Sequence, residues 1–522
     1  MKAVWKRSSP MLALLALATT ATAFGQTRSL SLEQALSLAA PASEAVGLAR
    51  IAIERANGDH YRARSGLFPQ ITGSVGYTRQ IKSQFDAVFG DAEPDSAAAN
   101  APTSCPAFNG DPTLPVDQRL AALETAVECA TTVNPFAGFS RLPFGRKNTY
   151  TLGLSGSQLL FDGGRVFGQM RATDAARESA RIGLASAEAQ LVLDVAEAYY
   201  DATLSDRLVE IARATLAQTD TTLRQTQLRR EVGTAPEFDL LRARVARDNQ
   251  RPVLIQATTN RDLAYIRLKQ LLNLPLEDAL SLTTTLGDTA LATVPTFARL
   301  ASAGVDTAAE HRAGVRQASE AVRAQEGLAS AARAEQFPSV VLSSQYSRLA
   351  YPSRGLPGWS EFLTDWNVAL GVQIPIFTGG RLKGERIAAK AAVEEARLRH
   401  QQAVELATLD ARNSLAQLEA AEASWLASEG TAAQATRAYE IAELRFREGI
   451  STQTELLDAR IALQQAEVNR AQAARDLQIA KVRVALLPDL PLGAGASSAS
   501  PMISGAGSSA SSSRATQQGQ TP

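Results

Sequence analysis

An internal repeat constrains this chain more than any other feature. Phe161-Asp162-Gly163-Gly164-Arg165 recurs as Phe377-Thr378-Gly379-Gly380-Arg381, an offset of 216 positions. The same offset carries Glu231-Val232-Gly233 onto Arg447-Glu448-Gly449. It also carries Leu240-Leu241-Arg242-Ala243-Arg244 onto Leu456-Leu457-Asp458-Ala459-Arg460, and Leu274-Pro275-Leu276 onto Leu490-Pro491-Leu492. A fixed offset held over this distance without a net insertion is hard to produce by composition, so the fold must be built from two copies of one unit. Upstream, Phe68-Pro69 and Tyr77 recur as Phe337-Pro338 and Tyr346 at an offset of 269, so the first copy holds 53 extra residues between Tyr77 and Tyr150. The first copy is expected over 24–280 with a long external loop at 80–148, and the second over 303–492. A weakly patterned connector lies at 281–302, and a Gly- and Ser-rich tail at 493–522 is expected to be disordered.

Each copy starts with an amphipathic helix, about 31–67 and about 303–336, that stops at Phe-Pro because proline disfavours helix in the residue before it. Ser31 and Gln34 suit a capping box at the first start. Two alternating segments follow, Ile71–Tyr77 and Tyr150–Phe161 in copy one, Val340–Arg348 and Trp366–Phe377 in copy two, and period-two alternation reads as strand. Tyr77, Tyr150, Tyr346 and Trp366 cluster at the loop-side ends, and Phe68, Phe161, Phe337 and Phe377 at the helix-side ends. Two aromatic belts around a short apolar band are the pattern of a membrane β-barrel; a soluble sandwich with one buried face is the alternative. Four strands cannot close a barrel alone, and an open sheet edge cannot face lipid, so a barrel requires several copies. Proline-free helical runs at about 165–230 and 381–447 come next, each roughly 100 Å long at 1.5 Å per residue. Gly-centred turns then lead into returning helices of about 37 residues. The helices at 31–67 and 303–336, stacked end to end on the returning ones, would make up the missing length.

Residues 1–23 read as a secretory signal: Lys2, Lys6 and Arg7 precede an apolar run from Met11 to Ala18 that ends in Ala21-Thr22-Ala23. Cys105 and Cys129 lie in the inserted stretch of an exported chain, which suits a disulfide; two unpaired thiols are the alternative. Lys plus Arg equals Asp plus Glu at 53 each, so no basic excess exists to neutralise phosphates and nucleic acid is not an expected partner. His60, His311 and His400 lack metal-ligand spacing, and the Gly-Gly pairs match no phosphate-binding fingerprint. No nucleophile, base and orienting group occur together, so neither catalysis nor a cofactor is expected.

The duplicated Phe-x-Gly-Gly-Arg, the Leu67-Phe68-Pro69 and Gln336-Phe337-Pro338 strand starts, the Gly turns followed by Leu-Leu-x-Ala-Arg, and Leu486-Leu487-Pro488-Asp489-Leu490 together resemble the TolC-like outer-membrane efflux protein family over about 30–492. The resemblance implies a membrane α+β fold. Each chain of a homotrimer would give four strands to a twelve-stranded transmembrane barrel, continuous with a long periplasmic α-helical barrel at the Gram-negative outer membrane. It implies export of drugs, toxic compounds or secreted substrates, together with a periplasmic adaptor and an inner-membrane pump, with outer-membrane lipid around the barrel. Gly233, Thr234, Gly449 and Ile450 match the helical tips that meet the adaptor. Asp239, Glu455 and Asp458 match acidic positions at the periplasmic entrance, and Phe446 an aromatic there. The alternative for the acids is solvated helix-face carboxylates paired with Arg445, Arg460 or Arg244, and the alternative function is a secreted or periplasmic coiled-coil structural or adhesion protein. Ser451 stands where the family often has a basic residue, so a latch using that charge is not expected in this chain.

Overall fold

The computed structural model describes residues 28–82, 105, 110–132, 148–286, 306–352 and 355–493. The signal segment, nearly all of the tail and most of the connector lie outside these residues. The chain divides into two compact units, one comprising 1–58, 174–325 and 392–522, the other 59–173 and 326–391. In chain order the elements are β1 (Arg28–Leu30), α1 (Leu32–Ala42), α2 (Glu44–Ser65), β2 (Gln70–Arg79), α3 (Val116–Thr132), β3 (Asn148–Phe161), α4 (Arg165–Glu231) and α5 (Glu237–Leu271). There follow β4 (Leu280–Leu282), α6 (Ala313–Ala334), β5 (Ser339–Ala350), β6 (Leu363–Gln373), α7 (Arg381–Arg447) and α8 (Gln453–Ala485). A helix, two strands, a 67-residue helix and a returning helix of 35 or 33 residues thus occur in the same order twice.

The 59–173 and 326–391 unit holds one antiparallel sheet of order β2-β3-β5-β6. Its register sorts the side chains. Ile71, Val75 and Tyr77 lie opposite Gly156, Leu152 and Tyr150. Leu154 lies opposite Tyr346, and Tyr346, Leu342 and Val340 lie opposite Trp366, Leu370 and Val372. Directly paired residues share a face, so this face is mainly apolar, with Gln158, Ser344, Arg348 and Thr364 as its polar exceptions. The other carries Thr72, Ser74, Thr151, Ser155, Ser343, Gln345 and Asn367, with Leu159, Val341, Leu349, Leu363 and Ala369 as its apolar exceptions. Both edge strands are exposed along their whole length. Tyr77 and Tyr150 pack with their rings tilted by 38° at 4.8 Å, and Tyr346 meets Trp366 edge-on at 6.4 Å. The two pairs are not level: Tyr346 is in register with Leu154, four residues from Tyr150. That stagger is about 13 Å along the strands over roughly 10 Å across them. A single aromatic level therefore needs strands tilted by about 50°, near the roughly 35–45° of membrane barrels.

Two elements differ from the sequence expectation here. The fourth strand ends at Gln373 rather than Phe377, because Pro375 has no N–H for the ladder. The inserted stretch contains a helix, α3, joined to Cys105 by a disulfide at Cys129 with a Cα–Cα distance of 5.8 Å. The strand exits explain the paired glycines: Gly163, Gly164, Gly379 and Gly380 have φ of 69°, 91°, 59° and 91°, a region costly to any residue with a Cβ. Asp162 accepts hydrogen bonds from Gly164 N and Val166 N at 3.0 and 2.9 Å, capping α4.

Among its described residues the other unit is helical apart from β1 and β4, a short parallel pair. The connector begins against a core, since Leu282 and Leu286 pack on the cluster of Leu30, Leu32, Leu193, Tyr199, Leu268, Leu280, Val482 and Leu490. Tyr199 Oη donates to Leu30 O (2.9 Å) and accepts from Thr284 N (3.0 Å), fixing both strands to α4. The first amphipathic helix is two helices, α1 and α2, bent by 44°. Pro41 lies in the last turn of α1, and Ser43 is extended, its Oγ accepting from Val46 N to start α2. Ser31 and Gln34 form the capping box of α1. In the second copy α6 starts at Ala313, whose N–H donates to Pro488 O at 2.7 Å just past the end of α8. Ion pairs tie α4 to α8 (Asp201–Arg475, 2.7 Å; Glu197–Arg483, 3.5 Å) and α4 to α5 (Asp206–Arg261, 2.6 Å). Among the described residues no single helix is long and apolar enough to cross a membrane; the bent α1–α2 pair passes by length and composition together, but Leu32, Ala35 and Ala39 of α1 are in the core.

Candidate functional site

The two Gly turns are built alike. At the end of α4, Thr234 N donates to Arg229 O (2.8 Å) and Gly233 N to Arg230 O (3.0 Å). At the end of α7, Ile450 N donates to Arg445 O (2.8 Å) and Gly449 N to Phe446 O (3.1 Å). This pairing is a Schellman motif, which needs a left-handed residue after the helix. Gly233 and Gly449 supply it with φ of 81° and 76°. A Cβ at either would meet nothing within 4 Å, so backbone conformation rather than crowding within the chain demands glycine. Thr234 and Ile450 are exposed beside them. The starts of the returning helices differ: Thr452 Oγ1 accepts from Glu455 N to cap α8, whereas Pro236 before α5 offers no side-chain cap.

The two tips are clasped by residues that the sequence pattern does not single out. Arg229 Nη2 donates to Phe446 O (2.8 Å) and Arg447 O (2.9 Å), and its guanidinium lies 4.6 Å from the centroid of the Phe446 ring. The last carbonyls of a helix lack intrahelical donors and carry the negative end of its dipole, so a guanidinium there is doubly favoured. Arg242 donates to Thr454 Oγ1. Gln453, buried between α5 and α8, fits with its amide nitrogen on Asp239 O (3.1 Å) and its amide oxygen on Ala243 N (3.3 Å).

Phe446, matched by resemblance to an aromatic at the entrance, is 6% exposed in a cluster with Tyr439, Leu456 and Leu463. Tyr439 and Phe446, and likewise Leu456 and Leu463, are a heptad apart, and this spacing places them in the α7–α8 seam. Asp239 is half-buried, and Glu455 and Asp458 are exposed. None of the three makes an ion pair with Arg244, Arg445 or Arg460. Arg460 is itself buried with no hydrogen-bond partner at Nε; burial lowers its pKa, and Tyr439 acts in the opposite sense. The eight belt aromatics lie in the sheet unit, with Phe68, Phe161, Phe337 and Phe377 all at least half exposed at the helix-side ends of the strands.

A model of the outer membrane efflux protein family matches residues 139–274 and 304–487. The chain belongs to that family. As an outer membrane efflux protein it is located in the outer membrane. It is 29% identical over 231 residues to the "Toluene efflux pump outer membrane protein TtgF" of Pseudomonas putida, an alignment spanning 42% of this chain and 45% of that one. The match thus covers about half the length of this relative. The outer membrane protein VceC of Vibrio cholerae has the same fold at 18% identity with a TM-score of 0.64, covering 87% of this chain and 95% of that one. A membrane protein from Pseudomonas aeruginosa matches at 18% identity and a TM-score of 0.65, over 88% and 93%. These likenesses show the α+β channel fold of this outer membrane efflux protein.

Proposed function

We propose that the chain is one subunit of a trimeric export channel. The observation that carries this reading is the sheet register, which puts one apolar and one polar face on four strands with two unpaired edges. In lipid each edge must pair, so the sheet closes only with further copies. Two copies give eight strands, an interior that side chains fill; three give twelve and leave a lumen. The long helices of the three copies form a periplasmic tunnel, and the two repeats alternate around it. The tips at Gly233, Thr234, Gly449 and Ile450 are the surface for a periplasmic adaptor and, through it, an inner-membrane pump. Exposed Thr234 and Ile450 and the open space around both glycines support this. Cargo is small toxic molecules, a reading supported by the toluene pump relative.

Asp239, Glu455 and Asp458, without an ion pair among the described residues, become rings of three carboxylates at the tunnel entrance, attracting cations and disfavouring anions. The channel reading is tested by the mass of the detergent-extracted oligomer and by conductance in planar bilayers. A monomer without conductance refutes it. In the same bilayers Glu455→Ala with Asp458→Ala lowers cation selectivity, and unchanged currents remove the acids from the entrance.

A further inference from the structure

The two tip turns are equivalent by the repeat, yet of the equivalent pair Arg229 and Arg445 the first alone has a side-chain partner among the described residues. Arg229 caps the carbonyls of Phe446 and Arg447. Its counterpart 216 positions on, Arg445, stands at the same place in the same turn, is exposed, and has no side-chain partner among the described residues. The counterparts of the capped carbonyls are those of Arg230 and Glu231, at the end of α4.

The way the copies meet inside the chain says what Arg445 faces. In the sheet, the second strand of copy one pairs with the first strand of copy two, β3 with β5. In the helical unit, the long helix of copy one meets the returning helix of copy two through Asp201–Arg475 and Glu197–Arg483. In a closed ring of such chains, copy two of one subunit meets copy one of the next through a contact related to this one by the repeat. This step rests on the channel reading above.

We infer that Arg445 binds a second copy of this chain, donating hydrogen bonds to the carbonyl oxygens of Arg230 and Glu231 at the neighbouring α4 terminus. The orphan carbonyls and negative dipole end that attract Arg229 are present there as well. The two clasps differ in their surroundings. Within the chain, Arg229 lies over the Phe446 ring, with Arg447 beside it. Between chains, Arg230 replaces the ring and Glu231 replaces Arg447, so the cation–π contact is lost and a carboxylate is gained. The clasp between subunits is accordingly the more sensitive of the two to salt.

The test is proximity in the full-length oligomer, read with a short bifunctional thiol reagent; Cys105 and Cys129 are bonded to each other and do not compete. Arg229→Cys with Arg447→Cys measures the yield this geometry permits and links within one chain. Arg445→Cys with Glu231→Cys is expected to give covalent dimers and trimers on a denaturing gel at a comparable yield. Arg445→Cys with Arg224→Cys, two turns further up α4, is expected to give none. A trimer by mass whose Arg445–Glu231 pair stays monomeric on the gel, or links no better than the Arg224 pair, overturns the clasp and leaves the channel reading standing. Monomers by mass overturn both.

Discussion

Arg229→Ala removes the one side chain that joins the two tips through three contacts. Two are hydrogen bonds from a charged donor to carbonyls, at 2.8 and 2.9 Å, and the third is the stack on Phe446 at 4.6 Å. Arg229 is half-buried, so each hydrogen bond is taken at about 1 kcal/mol net rather than the larger value of a fully desolvated pair. The stack adds roughly 0.5 to 1 kcal/mol. The clasped arrangement therefore loses about 2.5 to 3 kcal/mol, which shifts the balance between joined and separated tips by roughly 70- to 150-fold. Single-channel recording in planar bilayers reads this as a rise in the open fraction. Arg229→Lys keeps the charge but not the planar fork, so it is expected to fall between wild type and alanine. A double-mutant cycle with Phe446→Leu isolates the stack, with an expected coupling of about 0.5 to 1 kcal/mol. An Arg229→Ala channel whose open fraction equals that of wild type, in a correctly assembled oligomer, refutes the claim that this clasp holds the tips together.

Further perturbations address other parts of the fold. Replacing Cys105 and Cys129 with serine opens a loop with a sequence separation of 24, and about 3 kcal/mol of local stabilisation goes with it. Limited proteolysis is then expected to cut near α3 while the oligomer stays intact, and an unchanged cleavage rate counts against a stabilising bridge. Thr452→Ala removes the α8 cap and should cost about 1 kcal/mol, seen as faster amide exchange in the first turn of α8; the same change at Pro236, which makes no side-chain cap, should not produce this loss. Burial raises the pKa of Glu197, with Arg483 and Arg475 opposing. A carboxyl whose folded pKa is raised binds its proton more tightly in the folded state, so stability falls as pH rises from the unfolded value through the folded one. Glu197→Gln is expected to flatten that part of the thermal-stability profile, and a slope equal to wild type there rules out Glu197 as its source.

The fold was legible where periodicity and repetition coincide. The 67-residue helices begin at Arg165 and Arg381 because a Gly-Gly turn at positive φ precedes each, and the paired glycines mark that conformation in the sequence. The strand faces were legible because alternation fixes them up to register. The stagger between Tyr150 and Tyr346 was not, since register belongs to pairs of strands and no single strand carries it. Helix α3 escaped notice because the low-complexity residues around it hid a heptad-like run, Val116, Leu120, Leu123 and Val127, whose side chains are all exposed.

At the tips, the sequence marked the turns but not the contacts. Gly233 and Gly449 identify themselves by residue type, because the Schellman turn is a local requirement. Arg229 could be suspected only of capping its own helix, whereas its partners lie 217 and 218 residues away. The packing of Phe446 was hidden for the converse reason. Read singly it is an aromatic near an entrance, but read with Tyr439 at heptad spacing it belongs to the seam of α7 and α8. Duplication then adds information that neither copy holds alone. Where both copies keep a residue, as with Arg229 and Arg445, a contact seen once within the chain specifies a contact between chains. Where they diverge, as at Phe446 and Arg230, the two seams of one ring acquire different chemistry. In the trimer proposed above, the ring would have two kinds of joint, one held by a cation over an aromatic ring and the other by charge and carbonyls alone. Salt should loosen the second before the first.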